Sequence, residues 1–355
     1  MRRSLKRLHQ LIGVVIALYM LVMAGTGAAL TYKDPILARL IPEVGGQVKS
    51  LEPAEQAEAL ARIEDQYAAP GVRSVKLPRP GMNVYKVYLK DKQELLLNAD
   101  TLAEVHDPLG AFSFFVVLFD IHHRLAAGAT GEEIVGVLGL VTIFSIVSGI
   151  YLWWPWRKGY RLRNLIPANG RASAYRLSHV TLGATIAPFL LLNTITGASM
   201  IYSTPVRNAL TAVFGGEKTA VAVSIPVASE PRTALFDNKV SYFPEGLATI
   251  YIPRRTEEGP YSLRLQMPAE WHPNGRSTVT IDQTSGTATF YNAPDAALGH
   301  NIADAIYPLH SGKTGGYLWQ ALVALTGLGG FLLAYAGLSA YIRRKRRPAA
   351  QPAIK

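Results

Sequence analysis

Apolar residues gather in four long blocks, Leu11–Tyr32, Ile134–Trp154, Val180–Tyr202 and Tyr317–Ile342, whose interiors hold essentially no charge. A hydrocarbon core of about 30 Å takes about 20 helical residues to cross, so each block is long enough to span it. The first block exceeds the 7–15 apolar residues usual in a secretory signal and reads as an uncleaved span. Between the blocks the pattern changes. Pro53–Tyr67 has helical spacing, and Val84–Leu89 and Glu94–Asn98 alternate as a hairpin around Lys90–Gln93. Further on, Ala248–Pro253, Tyr261–Gln266, Ser277–Asp282 and Thr287–Tyr291 read as strands, with Asn274-Gly275 and Ser285-Gly286 as turn signals. The run Phe112–Ile121 is too short to span and is expected at an interface. The predicted fold is a membrane protein of four transmembrane α-helices in two repeated pairs, with two small α+β domains outside. The boundaries are an N-terminal end and first span over 1–32, a first outside domain over 33–108, an interfacial helix and second span over 109–156, and a basic loop over 157–176. They continue with a third span over 177–203, a second outside domain over 204–301, and a fourth span with a basic tail over 302–355.

Charge sharpens this picture. The chain carries 36 Lys and Arg against 25 Asp and Glu, a net of +11 in 355 residues. The bases are segregated. Met1–Gln10, Pro155–Ser178 and Tyr341–Lys355 contain sixteen of them and no acid, so the remainder is net acidic. All three stretches flank spans on one side, which the positive-inside rule makes cytoplasmic. That places both termini in the cytoplasm, the helices in the lipid bilayer and the two domains outside. The same segregation argues against a nucleic-acid partner. Trp153, Trp154 and Trp156 beside Arg157 and Lys158 form an interfacial anchor. Cysteine is absent, which excludes thiolate metal sites, cysteine-ligated iron–sulfur clusters and covalent c-type haem. Neither G-x-G-x-x-G nor G-x-x-x-x-G-K-[ST] occurs.

The first and third blocks repeat one another without a gap. Lys6, His9, Gly13, Thr26, Gly27 and Tyr32 match Arg176, His179, Gly183, Thr196, Gly197 and Tyr202. Each repeat is expected to run outward through a helix, form an outside domain and return. The returning halves open with Ile121-His122-His123-Arg124 and with Leu309-His310-Ser311-Gly312-Lys313. Thus His9 and His179 mark the inner membrane edge, while His122 or His123 and His310 mark the outer one. A single interfacial histidine is usually a polar anchor, but two on repeat-related helices at one depth can clamp a haem axially through neutral imidazole. Gly13 and Gly183 either clear a porphyrin face or serve packing, and Thr26-Gly27 and Thr196-Gly197 suit close helix packing. Lys6 and Arg176 inside, and Arg124 and Lys313 outside, are either positive anchors or partners for haem propionates. No carboxylate or Ser-His constellation suggests a catalytic acid, base or nucleophile.

These residues resemble the PepSY-associated transmembrane family, and within it the ferric-siderophore reductases. The resemblance rests on Leu8-His9 with Gly13, Thr26-Gly27, the segment from Ile121 to Gly131, S-G-x-Y-x-W-W-P from Ser148 to Pro155, and L-H-x-G-x-x-G-G from Leu309 to Gly316. Ser178 before His179, and Ile121 in place of leucine, depart from the pattern without touching a candidate ligand. The resemblance implies a four-helix protein of the bacterial inner membrane with PepSY-like periplasmic domains and two b-type haems. His9 and His179 would ligate the inner iron, His122 (or His123) and His310 the outer one. It also implies an oxidoreductase taking electrons from a cytoplasmic donor or quinol and passing them to a periplasmic ferric-siderophore, with release of ferrous iron. The alternative is a haem-free membrane sensor or scaffold whose outside domains bind peptide or regulate a protease.

Overall fold

The computed structural model describes residues 1–48, 51–226, 230–256 and 258–345, so the end of the basic tail lies outside the described residues. The chain divides into two compact units, and each draws on both repeats. The helical unit takes Met1–Tyr32, Phe115–Ser203 and the chain from Leu309 onward; the sheet unit takes Lys33–Phe114 and Thr204–Pro308.

All four apolar blocks are helices long and apolar enough to cross a membrane. They are α1 (Arg2–Thr31), α6 (Gly128–Trp153), α7 (Ala172–Ile201) and α11 (Gly316–Lys345). Each extends past its apolar block into flanking polar residues, since helical hydrogen bonding continues where the apolar pattern stops. Their principal contacts close a ring in which α1 and α7 each pack against both α6 and α11. Repeat-related helices therefore lie diagonally opposite. Ile16, Ala17, Met20 and Ala24 of α1 pack with Leu190 of α7 and Ala334 of α11. Small residues permit close approach: a Cβ on Gly330 would meet Met20, Ala24 and Leu190 at 3.2–3.3 Å. Three buried threonines donate within their own helices, Thr142 to Leu138 O, Thr196 to Leu192 O and Thr326 to Leu322 O.

Shorter helices α5 (Ala111–Arg124) and α10 (Leu298–Ser311) precede α6 and α11. The turn after α5 places Leu125, Ala126 and Gly128 at positive φ, and the turn after α10 does so with Gly312, Gly315 and Gly316. These reversals set the histidine-bearing ends of α5 and α10 at the start of the returning spans. The expected interfacial run lies in α5, where Phe114, Val117 and Phe119 remain exposed.

In the sheet unit α2 (Lys33–Leu40) and α3 (Pro42–Gly45) lead to α4 (Pro53–Gln66), β1 (Val72–Lys76), β2 (Val84–Leu89) and β3 (Glu94–Asn98). The second repeat adds α8 (Ser203–Phe214), β4 (Ala220–Ser224), α9 (Pro231–Tyr242), β5 (Leu247–Ile252), β6 (Tyr261–Gln266), β7 (Ser277–Asp282) and β8 (Thr287–Tyr291). The two segments, read from sequence as modules of their own, join in one antiparallel sheet of order β3-β2-β1-β5-β6-β7-β8-β4. The join is β1 on β5, where Val75 faces Tyr251 and Lys76 faces Ile250. Pairing there removes two open strand edges that neither module could cover alone.

Register divides the sheet into two faces. One cross-strand row runs Val87, Val75, Tyr251, Leu263, Val279 and Phe290, and all six are buried. Helices α4 and α9 pack on one another and against β1, β6 and β7 to cover that face. Between them Glu64 accepts from Arg232 Nε at 2.7 Å and from Tyr251 Oη at 2.6 Å, tying both modules and the sheet to one carboxylate. The adjacent row, Lys86, Lys76, Ile250, Arg264, Thr278 and Tyr291, occupies the opposite face and is largely polar.

Candidate functional site

At the bundle end that holds the N-terminus, His9 of α1 and His179 of α7 face one another with ring centroids 6.5 Å apart and planes at 67°. At the other end His122 of α5 and His310 of α10 do the same, at 6.1 Å and 45°. Seventeen residues separate His9 from Thr26, the contact of His122, so the two layers lie about 25 Å apart along α1.

The tautomer of all four rings follows from their partners. His179 Nδ1 lies 2.9 Å from Leu333 O and His310 Nδ1 lies 3.0 Å from Asn193 O; a carbonyl only accepts, so both Nδ1 atoms carry the proton. His9 Nδ1 is 2.9 Å from Ser148 Oγ, whose hydrogen is already given to Ser145 O. His122 Nδ1 is 2.9 Å from Thr26 Oγ1, whose hydrogen is given to Val22 O. Both hydroxyls therefore accept from Nδ1–H. Every one of the four rings thus keeps its Nε2 lone pair, the arrangement in which outer-sphere bonds fix imidazole as a metal ligand.

Glycines seat the rings. A Cβ on Gly27 would lie 3.0 Å from His122 Cε1, and one on Gly197 3.0 Å from His310 Cε1. A Cβ on Gly337 would lie 2.7 Å from His179 Nδ1, and one on Gly149 3.3 Å from His9 Cε1. Thr26-Gly27 and Thr196-Gly197, which suit close helix packing, lie against the two outer imidazoles, the glycines giving clearance and the threonine hydroxyls within hydrogen-bond distance of Nδ1. Gly13 meets nothing within 4 Å of its would-be Cβ, and Gly183 only Leu333 at 3.4 Å, an ordinary contact.

The remaining candidates are placed apart from the pairs. His123 stacks on Phe119, with centroids 5.5 Å apart, and lies 3.9 Å from Glu132 Oε1; His122 is the ring that faces His310. Arg124 Nε lies 2.8 Å from Asp120 Oδ1 in an ion pair along α5, without hydrogen-bond alignment. Lys6 and Arg176 are exposed, and Lys313 is half-buried. Sequence reasoning did not single out Ser148 and Gly149 as the seat of His9, although both open the aromatic motif that ends at Pro155. Nor did it reach Leu333 O, Asn193 O or Gly337.

No three or more His, Cys, Asp or Glu side chains gather in a group suited to a metal ion among the described residues. Each layer offers two nitrogens only. That set fits an ion whose other ligands come with it, in a planar macrocycle. Two imidazoles holding one ion from opposite sides by bonds of about 2 Å have centroids about 6 Å apart, and both pairs have that spacing. The residues present fit a haem at each layer.

Fold and site together define a four-span membrane protein with an α+β sheet unit, whose bundle carries a facing histidine pair near each end. More specifically, the chain belongs to the family described as the PepSY-associated TM region, which matches residues 6–344. No curated protein matches it.

Proposed function

We propose that this protein is a di-haem b-type cytochrome of the bacterial inner membrane that passes electrons to a periplasmic ferric-siderophore. The donor is a cytoplasmic reductant or quinol, and each electron converts one ferric ion of the substrate to ferrous iron, which leaves its chelator more readily. The observation that carries the reading is the duplicated imidazole pair, with all four rings held through Nδ1. Haem bound at each layer supplies a one-electron store that changes oxidation state without a change of ligands. The chain's own residues do the rest. His9 and His179 hold the inner position, and His122 and His310 the outer. Ser148, Thr26, Leu333 O and Asn193 O orient the rings and raise their donor strength. Apolar α1, α6, α7 and α11 keep water from the space between. The clustered bases of the N-terminus and the 157–176 loop support the orientation with both termini in the cytoplasm.

The test is single-turnover reduction of substrate. Protein reduced with dithionite and freed of excess reductant is mixed with a ferric hydroxamate siderophore and a ferrous-specific chromogenic chelator. Reoxidation of the haem bands in step with ferrous complex formation is the expected result. Haem that stays reduced in the presence of ferric chelates contradicts the proposed substrate.

A further inference from the structure

The polar face of the sheet carries a second constellation, unrelated to the histidine pairs. Its row brings Lys76, Arg264 and Tyr291 onto one side of β1, β6 and β8. Arg276 joins from the start of β7, Arg79 from the loop after β1, and Arg207 from α8. Against these five cations stand two carboxylates. Asp304 takes Arg207 at 2.7 Å and Arg276 at 3.4 Å. Glu270 is already engaged, accepting from the backbone N–H groups of Met267, Arg276 and Ser277 and from the Ser277 hydroxyl.

Two polar atoms of this cluster are buried with no partner, Arg264 Nε and Tyr291 Oη, and Arg276 Nε meets only the Asp304 carboxylate, at 3.4 Å and without hydrogen-bond alignment. Native proteins seldom leave such groups unmet. His272 adds a fourth donor. The Asn274 backbone N–H donates to its Nδ1 at 3.1 Å, so its proton sits on Nε2, and its ring stacks on Tyr307 at 5.1 Å. Burial, and then Arg276, Arg264, Lys76 and Arg79, push its imidazole down to about 3, which keeps it neutral. His300, by contrast, is used up: Arg207 donates to its Nδ1 and its Nε2 donates to Gly216 O. Like charges gathered on neighbouring strands repel unless an anion joins them.

We propose that this cluster binds a small oxyanion ligand bearing two or more carboxylate or phosphate groups. Arg264, Arg276 and His272 present N–H donors and Tyr291 its hydroxyl, and Arg264 Nε and Tyr291 Oη have no partner of their own. Arg264 and Tyr291 stand two strands apart, about 10 Å, which suits acid groups spread over a molecule rather than one compact ion. Under the function proposed above, the same site takes an anionic, carboxylate-bearing ferric chelate in preference to a cationic one; that step rests on the reductase reading, whereas oxyanion binding does not.

The full chain in lipid-free detergent is titrated calorimetrically with citrate and with inorganic phosphate. Citrate is expected to bind more tightly than phosphate and to weaken as salt is raised. Arg264→Gln and Arg276→Gln are expected to weaken citrate by about tenfold or more. Tyr291→Phe, which removes a single hydroxyl, keeps the test open should an arginine variant fail to fold, and it too is expected to weaken citrate. Arg254→Gln, at an exposed arginine outside the cluster, is expected to leave binding unchanged. No binding of either anion, or equal binding in the Arg264, Tyr291 and Arg254 variants, overturns the proposal. Repeating the titration in phosphatidylglycerol and phosphatidylcholine nanodiscs separates two sources of the same chemistry. Loss of citrate binding in the anionic discs alone assigns the site to a lipid headgroup phosphate, and retention assigns it to a free anion. Citrate binding is read as heat and haem as absorbance, so failure of one claim is distinguishable from failure of the other.

Discussion

An imidazole held by its Nδ1–H leaves one nitrogen for a metal, and four different acceptors achieve this in one chain. The seats differ in how much they tolerate. Gly337→Ala would press a methyl to 2.7 Å from His179 Nδ1, so that ring must turn away. The expected outcome is one haem per chain instead of two, read by pyridine haemochrome. Gly13→Ala, which meets open space, is expected to keep both. Ser148→Ala removes the acceptor of His9 while leaving the ring, and is expected to shift the midpoint potential of one haem only, read by potentiometric titration. In the sheet unit, His272 has its pKa lowered from 6.5 to about 3, first by burial and then by the cations around it. The unfolded chain therefore binds this proton at a higher pH than the folded chain does, so the stability tied to His272 falls as pH drops from 6.5 towards 3. Thermal unfolding between pH 7 and pH 4 is expected to show that decline, and His272→Gln to make it shallower.

At the scale of elements, what the sequence made legible follows from what each residue pattern records. The four spans carry their apolar blocks openly, β6, β7 and β8 alternate buried and polar residues strictly, and β2, β3 and β5 are short runs rich in strand-forming or apolar residues. Strand β4 is not legible in this way: Ala220–Ser224 lies at the sheet edge on β8 alone, four of its five residues are exposed, and no buried face shapes its composition. Helix α9 buries only Pro231, Leu235 and Phe236, too few for a clear stripe. The shared sheet was hidden for another reason, since pairing of β1 with β5 joins residues far apart in the chain. Histidines and repeat were legible, but the seats were not, because a Thr-Gly pair has the same composition whether it packs a helix or cradles a ring. The join can be tested. Leu263 is fully buried in the row that crosses it, and Leu263→Ala is expected to cost about 2–5 kcal/mol. Faster amide exchange in β1 and β2 of the first module as well as in β5, β6 and β7 is the expected readout; faster exchange confined to the second module would contradict a continuous sheet.

For the molecule as a whole, duplication explains why both ends of the bundle look alike. One unit with a histidine at the start of its outgoing helix and another before its returning helix, doubled about a two-fold relation, gives a facing pair at each end. Diagonal placement of α1 and α7 across the ring brings the pairs together. The most direct measurement is the haem content of the purified protein, by oxidised and dithionite-reduced spectra with a pyridine haemochrome assay. A di-haem carrier gives two b haems per chain, falling to one in His9→Ala and to one in His310→Ala. A chain that binds no haem when expressed with haem in excess, or that keeps two haems in both variants, contradicts the paired-imidazole site.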